Sequence, residues 1–167
     1  VLAPGNLQEL TDMVQEGFDL ADFYRTPVII LADGLIGQMM EPVELRKPTA
    51  RELPKKDWAL RGKGDGEPHR IYNLNLDAAG LEQENIRLFE KYKVIEENEP
   101  QHEDYRMEDA EYAFVSYGTA SRIVRTAVNA LRDEGYRVGM IRPKTLWPFP
   151  EKAFERTGIR KYMDVEL

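Results

Sequence analysis

The stretch "YAFVSYGTASRIVRTAVNALRDEGYRVGMIRP", residues 112–143, constrains the fold more than any other part of this chain. A short apolar run halts at a glycine, a helix-period segment follows, and Gly135 separates it from a second apolar run. Strand, helix, strand in that order makes the two strands parallel, because a crossover helix is what returns a chain to a parallel neighbour. The helix is expected to turn Ile123, Ala127, Ala130 and Leu131 inward, with Gly135 as the left-handed closing residue. "PEKAFERTG" adds a short helix with Pro150 near its start, and "KYMDVEL" a third strand. Residues 108–167 therefore read as βαβαβ, a right-handed parallel unit of three strands.

The beginning of the chain carries a second α/β signature. Pro4-Gly5 turns the backbone, Asn6 is a good N-cap, and Glu9 stands three residues on, as in a capping box. Leu7, Leu10, Val14, Phe18, Ala21 and Tyr24 then recur at helical spacing, which predicts a helix over residues 6–25. "VIILA" follows the stop at Arg25-Thr26-Pro27, and a continuous apolar run of this kind marks a parallel strand buried on both faces. Between these α/β parts lies a different texture, rich in Pro, Gly and charge, with an isolated Trp58. Within it Leu81, Leu88, Tyr92 and Ile95, with Phe89 beside them, mark one charged helix whose narrow apolar face must lie on another domain or subunit. The division expected is the end of one α/β domain at 1–44, a strap at 45–107, and the start of another α/β domain at 108–167. Val1 and Leu167 both fall inside strand-like sequence, so a fragment of a longer polypeptide is expected.

Composition removes several functions. A net charge of -7 and a pI near 5.0 argue against nucleic acid or an anionic membrane as partner. No run approaches the roughly 20 apolar residues of a membrane span, and no signal peptide opens the chain, so a cytoplasmic location is expected. With no cysteine there is no thiolate nucleophile, disulfide or cysteinyl metal cluster in these 167 residues, and two histidines argue against a His-rich metal site.

Few residues invite a chemical role. Asp33-Gly34 ends the apolar run, at the strand end where open α/β sheets bind ligands, so Asp33, Gly34 and Gln38 are candidates to line a ligand or subunit cleft. The plainer account is a turn, with Met39 and Met40 as plastic packing residues. "YGTASR", Tyr117 to Arg122, is a strand–helix turn whose N–H groups face the helix start, but it lacks the glycines of a nucleotide-binding loop. Trp147 and Phe149 are held between Pro143, Pro148 and Pro150, and either anchor a partner or pack internally. His69 and His102 read as surface residues, and "EENEPQHED" as a solvated face. No residue set supplies a self-sufficient catalytic centre or metal site.

Three stretches, "QELTDMVQEGFDLADFYRTPVIILADGLIGQMMEPVE", "NIRLFEKYKVIEENE" and "YGTASRIVRTAVNALRDEGYRVGMIRPKTLWPFP", together resemble the α subunit of 2-oxoacid:ferredoxin oxidoreductases. The branched-chain (2-ketoisovalerate) type is the nearest, the 2-oxoglutarate type second. The resemblance implies the end of a thiamine-diphosphate pyrimidine-binding domain, then a transketolase C-terminal-like parallel α/β domain. It implies a complex with beta, gamma and delta-type subunits that decarboxylates a 2-oxoacid, passes electrons to ferredoxin and forms an acyl-coenzyme A. Thiamine diphosphate and Mg belong to the assembled complex and 4Fe-4S clusters to partner subunits; none is expected to be bound by these residues alone. The family's activating glutamate lies in a part of the domain that would precede Val1. Two alternatives stay open: a transketolase-like component that does not use ferredoxin, and a non-catalytic binding or assembly module.

Overall fold

The computed structural model describes residues 1–47, 51–62, 64, 66–72 and 74–166. Helix α1 (Leu7–Tyr24) starts where capping chemistry puts it, with the Asn6 side chain accepting from Glu9 N at 2.8 Å. The reciprocal half of the box is displaced: Glu9 Oε2 accepts from Gly5 N at 2.8 Å, one residue before the cap. The helix buries Met13, Gly17 and Leu20, with Tyr24 and Val28 packed against that cluster. Val14 and Phe18, expected inward, are 41% and 72% exposed. The difference has a physical source. A Cβ on Gly17 would lie 3.4 Å from Val28 Cγ1, so the helix approaches its neighbour over a residue that adds nothing to an apolar count.

The "VIILA" run is extended but has little company. Leu2 bridges Ile30 in parallel, with Leu2 N donating to Ile29 O and Leu31 N to Leu2 O, both at 2.8 Å. Ile29 is 57% and Leu31 44% exposed, so the expected burial on both faces is not met within this chain. Among the described residues, the covering layer lies on the side facing Leu2 and α1.

Helix α2 (Ala78–Asn98) is capped by Asp77, whose side chain accepts from Gly80 N at 2.7 Å. Its last turns dock through buried Ile95, while Leu81 and Phe89 stay exposed. The strap before it runs along α1 in the same direction. Glu44 exchanges two hydrogen bonds with Gln8, Arg46 pairs with Asp12, Lys56 with Asp22, and Arg25 lies 4.3 Å over the Trp58 ring.

The sheet comprises β1 (His102–Tyr105), β2 (Tyr112–Val115), β3 (Val138–Pro143) and β4 (Lys161–Asp164), in the order β1-β3-β2-β4. β2 pairs in parallel with both β3 and β4, with helix α3 (Gly118–Asp133) between β2 and β3. β1 departs from the sequence expectation. The segment that reads as a solvated face pairs antiparallel with β3, His102 opposite Pro143 and Tyr105 opposite Met140, so the sheet is mixed. Its charge conceals it, since an edge strand needs few apolar residues when its backbone is paired and its side chains find ions. The short helix after Pro150 is a single 3₁₀ turn, Glu151–Phe154.

Every residue of β3 is buried. Met107, Ala110, Ala113, Ile141 and Ala153 pack on one face of the sheet, and Val124, Val128, Val138 and Met140 on the other, under α3. Helix α3 thus faces the sheet with Val124 and Val128 rather than with Ile123, Ala127 and Ala130, none of which is buried; Leu131 does pack inward. Two apolar stripes are written on this helix, and the sheet takes the β-branched one. Gly135 adopts φ 92° and its N–H bonds Arg132 O at 3.0 Å, closing the helix as its position implied.

Candidate functional site

The candidate residues meet at the junction between the first segment and the sheet. Asp33 reaches across 86 residues: its Oδ2 accepts from Thr119 N at 3.0 Å while its Oδ1 accepts from Ile36 N at 2.9 Å. The residue before α3, Tyr117, offers no side-chain cap, so Asp33 caps this helix from outside and sets a negative charge at its positive end. Burial pushes the Asp33 carboxyl up, but Thr119 and the N–H groups of Ile36 and Leu35 outweigh it and hold it below the ordinary aspartate value. Gly118 makes the contact possible, with φ +58° and a would-be Cβ only 3.2 Å from Asp33 Oδ2. The Thr119 hydroxyl is buried beside this cap without a hydrogen-bond partner of its own.

Two further carboxylates of the first segment make the same crossing. Glu41 accepts from Leu7 N at 3.1 Å and pairs with Arg122 of α3 at 2.6 Å. Glu9 forms a two-pronged pair with Arg142 of β3, Nη2 donating at 2.6 Å and Nη1 at 3.0 Å. Arg142 is 4% exposed, and its Nε also donates to Glu103 of β1 at 2.8 Å, a carboxylate that Arg125 of α3 pairs with as well. Burial raises the Glu9 carboxyl, yet the Arg142 and Gly5 hydrogen bonds and the Arg142 and Lys144 charges bring it below its ordinary value. Burial likewise raises Glu103, and Arg125 and Arg142 bring it below its ordinary value.

Gly34 and Gln38 are exposed, and the 3₁₀ turn Ile36–Gln38 ties Gln38 N to Leu35 O. The methionines do not pack as a pair: Met39 is half-buried with its sulfur beside Arg122, and Met40 is 98% exposed. Trp147 meets Tyr92 of α2 edge-on, centroids 5.5 Å apart, so its contact joins the strap helix to the β3–β4 connection. Phe149 stacks on Phe154 at 5.3 Å and is 44% exposed. His69 and His102 are exposed, as their sequence setting implied, with His102 facing Asp104 at 3.7 Å. At the far end of the junction Tyr24 donates to Glu99 at 2.6 Å; burial and then the Glu99 hydrogen bond and charge push its phenol up to about 12.

Sequence reasoning missed Arg142, Glu103 and the crossing role of Glu9. One signal was available: Arg142 is the lone charge in the apolar run "VGMIRP", and a buried arginine requires carboxylates. Which carboxylates could not be read, because Glu9 lies 133 residues away.

Among the described residues no group of three or more His, Cys, Asp or Glu side chains fits a metal ion, and no helix is long and apolar enough to cross a membrane. The family model described as pyruvate flavodoxin/ferredoxin oxidoreductase, thiamine diphosphate-binding, matches residues 1–129. That described as pyruvate:ferredoxin oxidoreductase core domain II matches residues 110–167. A ketoisovalerate oxidoreductase subunit VorB from Methanothermobacter marburgensis is 43% identical over all of this chain and 48% of its own length. A 2-oxoglutarate synthase subunit KorA from the same organism is 32% identical over 99% of this chain and 52% of its own. The chain thus spans about half the length of the curated relatives it matches. A solved 2-oxoglutarate:ferredoxin oxidoreductase from Magnetococcus marinus superposes with a TM-score of 0.71 over 99% of this chain and 34% of that chain, at 20% identity, a likeness of fold. Two overlapping family models that together run the length of the chain, on a fold of the same kind, lead to one conclusion: the chain belongs to the pyruvate flavodoxin/ferredoxin oxidoreductase family, matching its thiamine-diphosphate-binding and core domain II models.

Proposed function

We propose that this chain is part of the α-type subunit of a thiamine-diphosphate-dependent 2-oxoacid:ferredoxin oxidoreductase acting on branched-chain 2-oxoacids. The balanced reaction takes a 2-oxoacid, coenzyme A and two oxidised ferredoxins to acyl-coenzyme A, carbon dioxide, a proton and two reduced ferredoxins. The observation that carries the reading is the 43% identity to a ketoisovalerate oxidoreductase subunit over the whole chain, against 32% to a 2-oxoglutarate synthase subunit. Beta, gamma and delta-type subunits, Mg, and 4Fe-4S clusters held by those subunits complete the proposed complex; with no cysteine, these 167 residues hold no cysteinyl cluster. A cytoplasmic location goes with this reading.

The described residues do not by themselves fit thiamine diphosphate. Asp33, the carboxylate at the end of the apolar run, has both oxygens engaged by backbone N–H groups, so it is not free to hold an aminopyrimidine. The proposed contribution of this chain is positional. Asp33, Glu9 and Glu41 seat residues 1–44 against residues 108–167, and Trp147 ties the strap to the same seat. Asp33, Gly34, Gln38, Trp147 and Phe149 remain the proposed interface residues.

The test is turnover by the purified complex with 2-ketoisovalerate, coenzyme A and an oxidised viologen or ferredoxin, alongside 2-oxoglutarate and pyruvate, and with NAD replacing the acceptor. Preference for 2-ketoisovalerate with the low-potential acceptor is expected. Reduction of NAD with no viologen or ferredoxin reduction would overturn the reading, and preference for 2-oxoglutarate would overturn the substrate.

A further inference from the structure

The strap meets the rest of the chain through charge and hydrogen bonds rather than apolar packing. None of the described residues between 42 and 60 is buried, and Leu45 and Leu60 are 83% and 64% exposed. A cavity of about 370 Å³ remains beneath it, lined by Asp12, Glu16 and Asp19 of α1 and by Arg46, Lys47 and Arg51 of the strap. The strap therefore spans α1 instead of packing on it. Helix α1 has its own anchors, with Met13 and Leu20 packed on Leu2 and Glu9 paired with Arg142.

Asp12, Glu16, Asp19 and Asp22 recur every three or four residues along α1, so like charges line one face and repel. The strap answers at both ends of that row: Arg46 pairs with Asp12 and Lys56 with Asp22. Arg51 makes the central contact, donating to both oxygens of Glu99 at 2.8 and 3.0 Å with its guanidinium 5.3 Å from the Phe23 ring centre. Glu99 follows the last turn of α2 and also accepts from Tyr24 of α1, so one carboxylate joins the strap to both helices. Its side chain is 11% exposed, against 36% for Asp12 and 33% for Asp22, which leaves the Arg51 pair the least screened of the three.

We propose that the strap is a charge latch, pinned by Arg51 on Glu99, that lifts from α1 while the helix stays folded on its apolar seat. The two sets of contacts answer to different conditions. Salt screens exposed ion pairs and leaves apolar packing intact. Lifting bares Asp12, Asp19 and Asp22 together, turning a charge-balanced face into an acidic one, whereas Glu16 keeps its hydrogen bond from Gln101.

The latch is read without turnover, so it stands or falls apart from the oxidoreductase reading. Glutamyl endopeptidase at low concentration cuts the full chain after Glu52 in the strap and after Glu16 in α1, each at a rate set by the fraction open at that site. Each rate is divided by that of a free peptide of the same sequence in the same salt. Normalised cleavage after Glu52 is expected to exceed that after Glu16 roughly tenfold or more, and to rise as salt goes from about 0.1 M to about 1 M. Arg51→Gln should raise it roughly tenfold further, as for loss of a charge-assisted pair. Lys56→Gln should raise it less, and Lys161→Gln, an exposed cation outside the strap, should leave it unchanged. Equal normalised rates at Glu52 and Glu16 would mean that the strap opens only with α1 and would overturn the proposal. So would a rate at Glu52 indifferent to salt and to Arg51→Gln. If Arg51→Gln fails to fold, Lys56→Gln against Lys161→Gln decides.

Discussion

Replacing Glu9 by Gln tests whether the first segment is held to the sheet by charge. The wild-type carboxylate accepts two bonds from Arg142, at 2.6 and 3.0 Å, and one from Gly5 N at 2.8 Å, and stands 3.5 Å from Lys144. Glutamine keeps the shape and one acceptor but leaves a 4%-exposed guanidinium short of its main counter-charge. Removing one partner from a fully buried pair costs about 3–5 kcal/mol. Glu9 is 20% exposed and Glu103 still accepts from Arg142 Nε, so the expected loss is smaller, about 2 kcal/mol. Urea denaturation of the full chain at neutral pH is the assay. With a slope of about 2 kcal/mol/M, the midpoint should fall by roughly 1 M at unchanged slope. Combining Glu9→Gln with Arg142→Met should recover part of the loss, since an apolar side chain needs no counter-charge in a buried strand, and the double-mutant cycle should give about 1 kcal/mol or more of coupling. A midpoint unmoved by Glu9→Gln, or strict additivity of the two changes, would refute the idea that this pair seats the segment.

Acidification probes the same seat: Glu9, Glu103 and Asp33 all have folded carboxyls below their ordinary values, so the unfolded chain binds more protons. Their contribution is complete above the unfolded carboxylate range near pH 4–5 and is lost as pH falls through the lower folded values, so urea midpoints should drop on acidification and less steeply in Glu9→Gln. Asp33→Ala removes the outside cap of α3 and should cost about 1 kcal/mol, seen as a melting temperature lower by roughly 3 °C; an unchanged or higher value would remove the cap from the account. Gly139→Ala should be severe, about 3 kcal/mol by urea denaturation, because its Cβ would stand 2.5 Å from Met107 Sδ and 2.6 Å from the Arg106 carbonyl oxygen. A near-neutral result would mean that the 106–107 turn can move. Trp147→Ala should cost about 2 kcal/mol, less than a fully buried tryptophan because the ring is 38% exposed. The pair Trp147→Ala and Phe149→Ala should also weaken assembly with partner subunits in size-exclusion chromatography, and unaltered assembly would confine both rings to this chain.

Local chemistry made much of the architecture readable. Asn6 and Glu9 announced the start of α1, Gly135 the end of α3, and the βα pattern around Gly118 the parallel β2–β3 pair, because caps and crossovers act within a few residues. Periodicity located the helices but misjudged which face was inward. In α1 the contact runs over Gly17, and in α3 two apolar stripes compete, so a count of apolar residues cannot choose between them. β1 escaped notice because its residues are charged and its strand character comes from β3. The Asp-Gly turn was legible as a turn, whereas Asp33 as the cap of a helix 86 residues away was not.

By itself, then, the sequence determined the helices, the parallel strands β2, β3 and β4 and their order, the absence of cysteinyl chemistry, and the resemblance to oxidoreductase subunits. Tertiary structure alone decided that Glu9, Asp33 and Glu41 become the seat of a second module, and that Arg122, Arg125 and Lys144 gather around the buried Arg142. The reason is range: capping and periodicity operate over one or two turns, while a buried charge takes whichever opposite charge the fold brings within about 3 Å, at any distance along the chain.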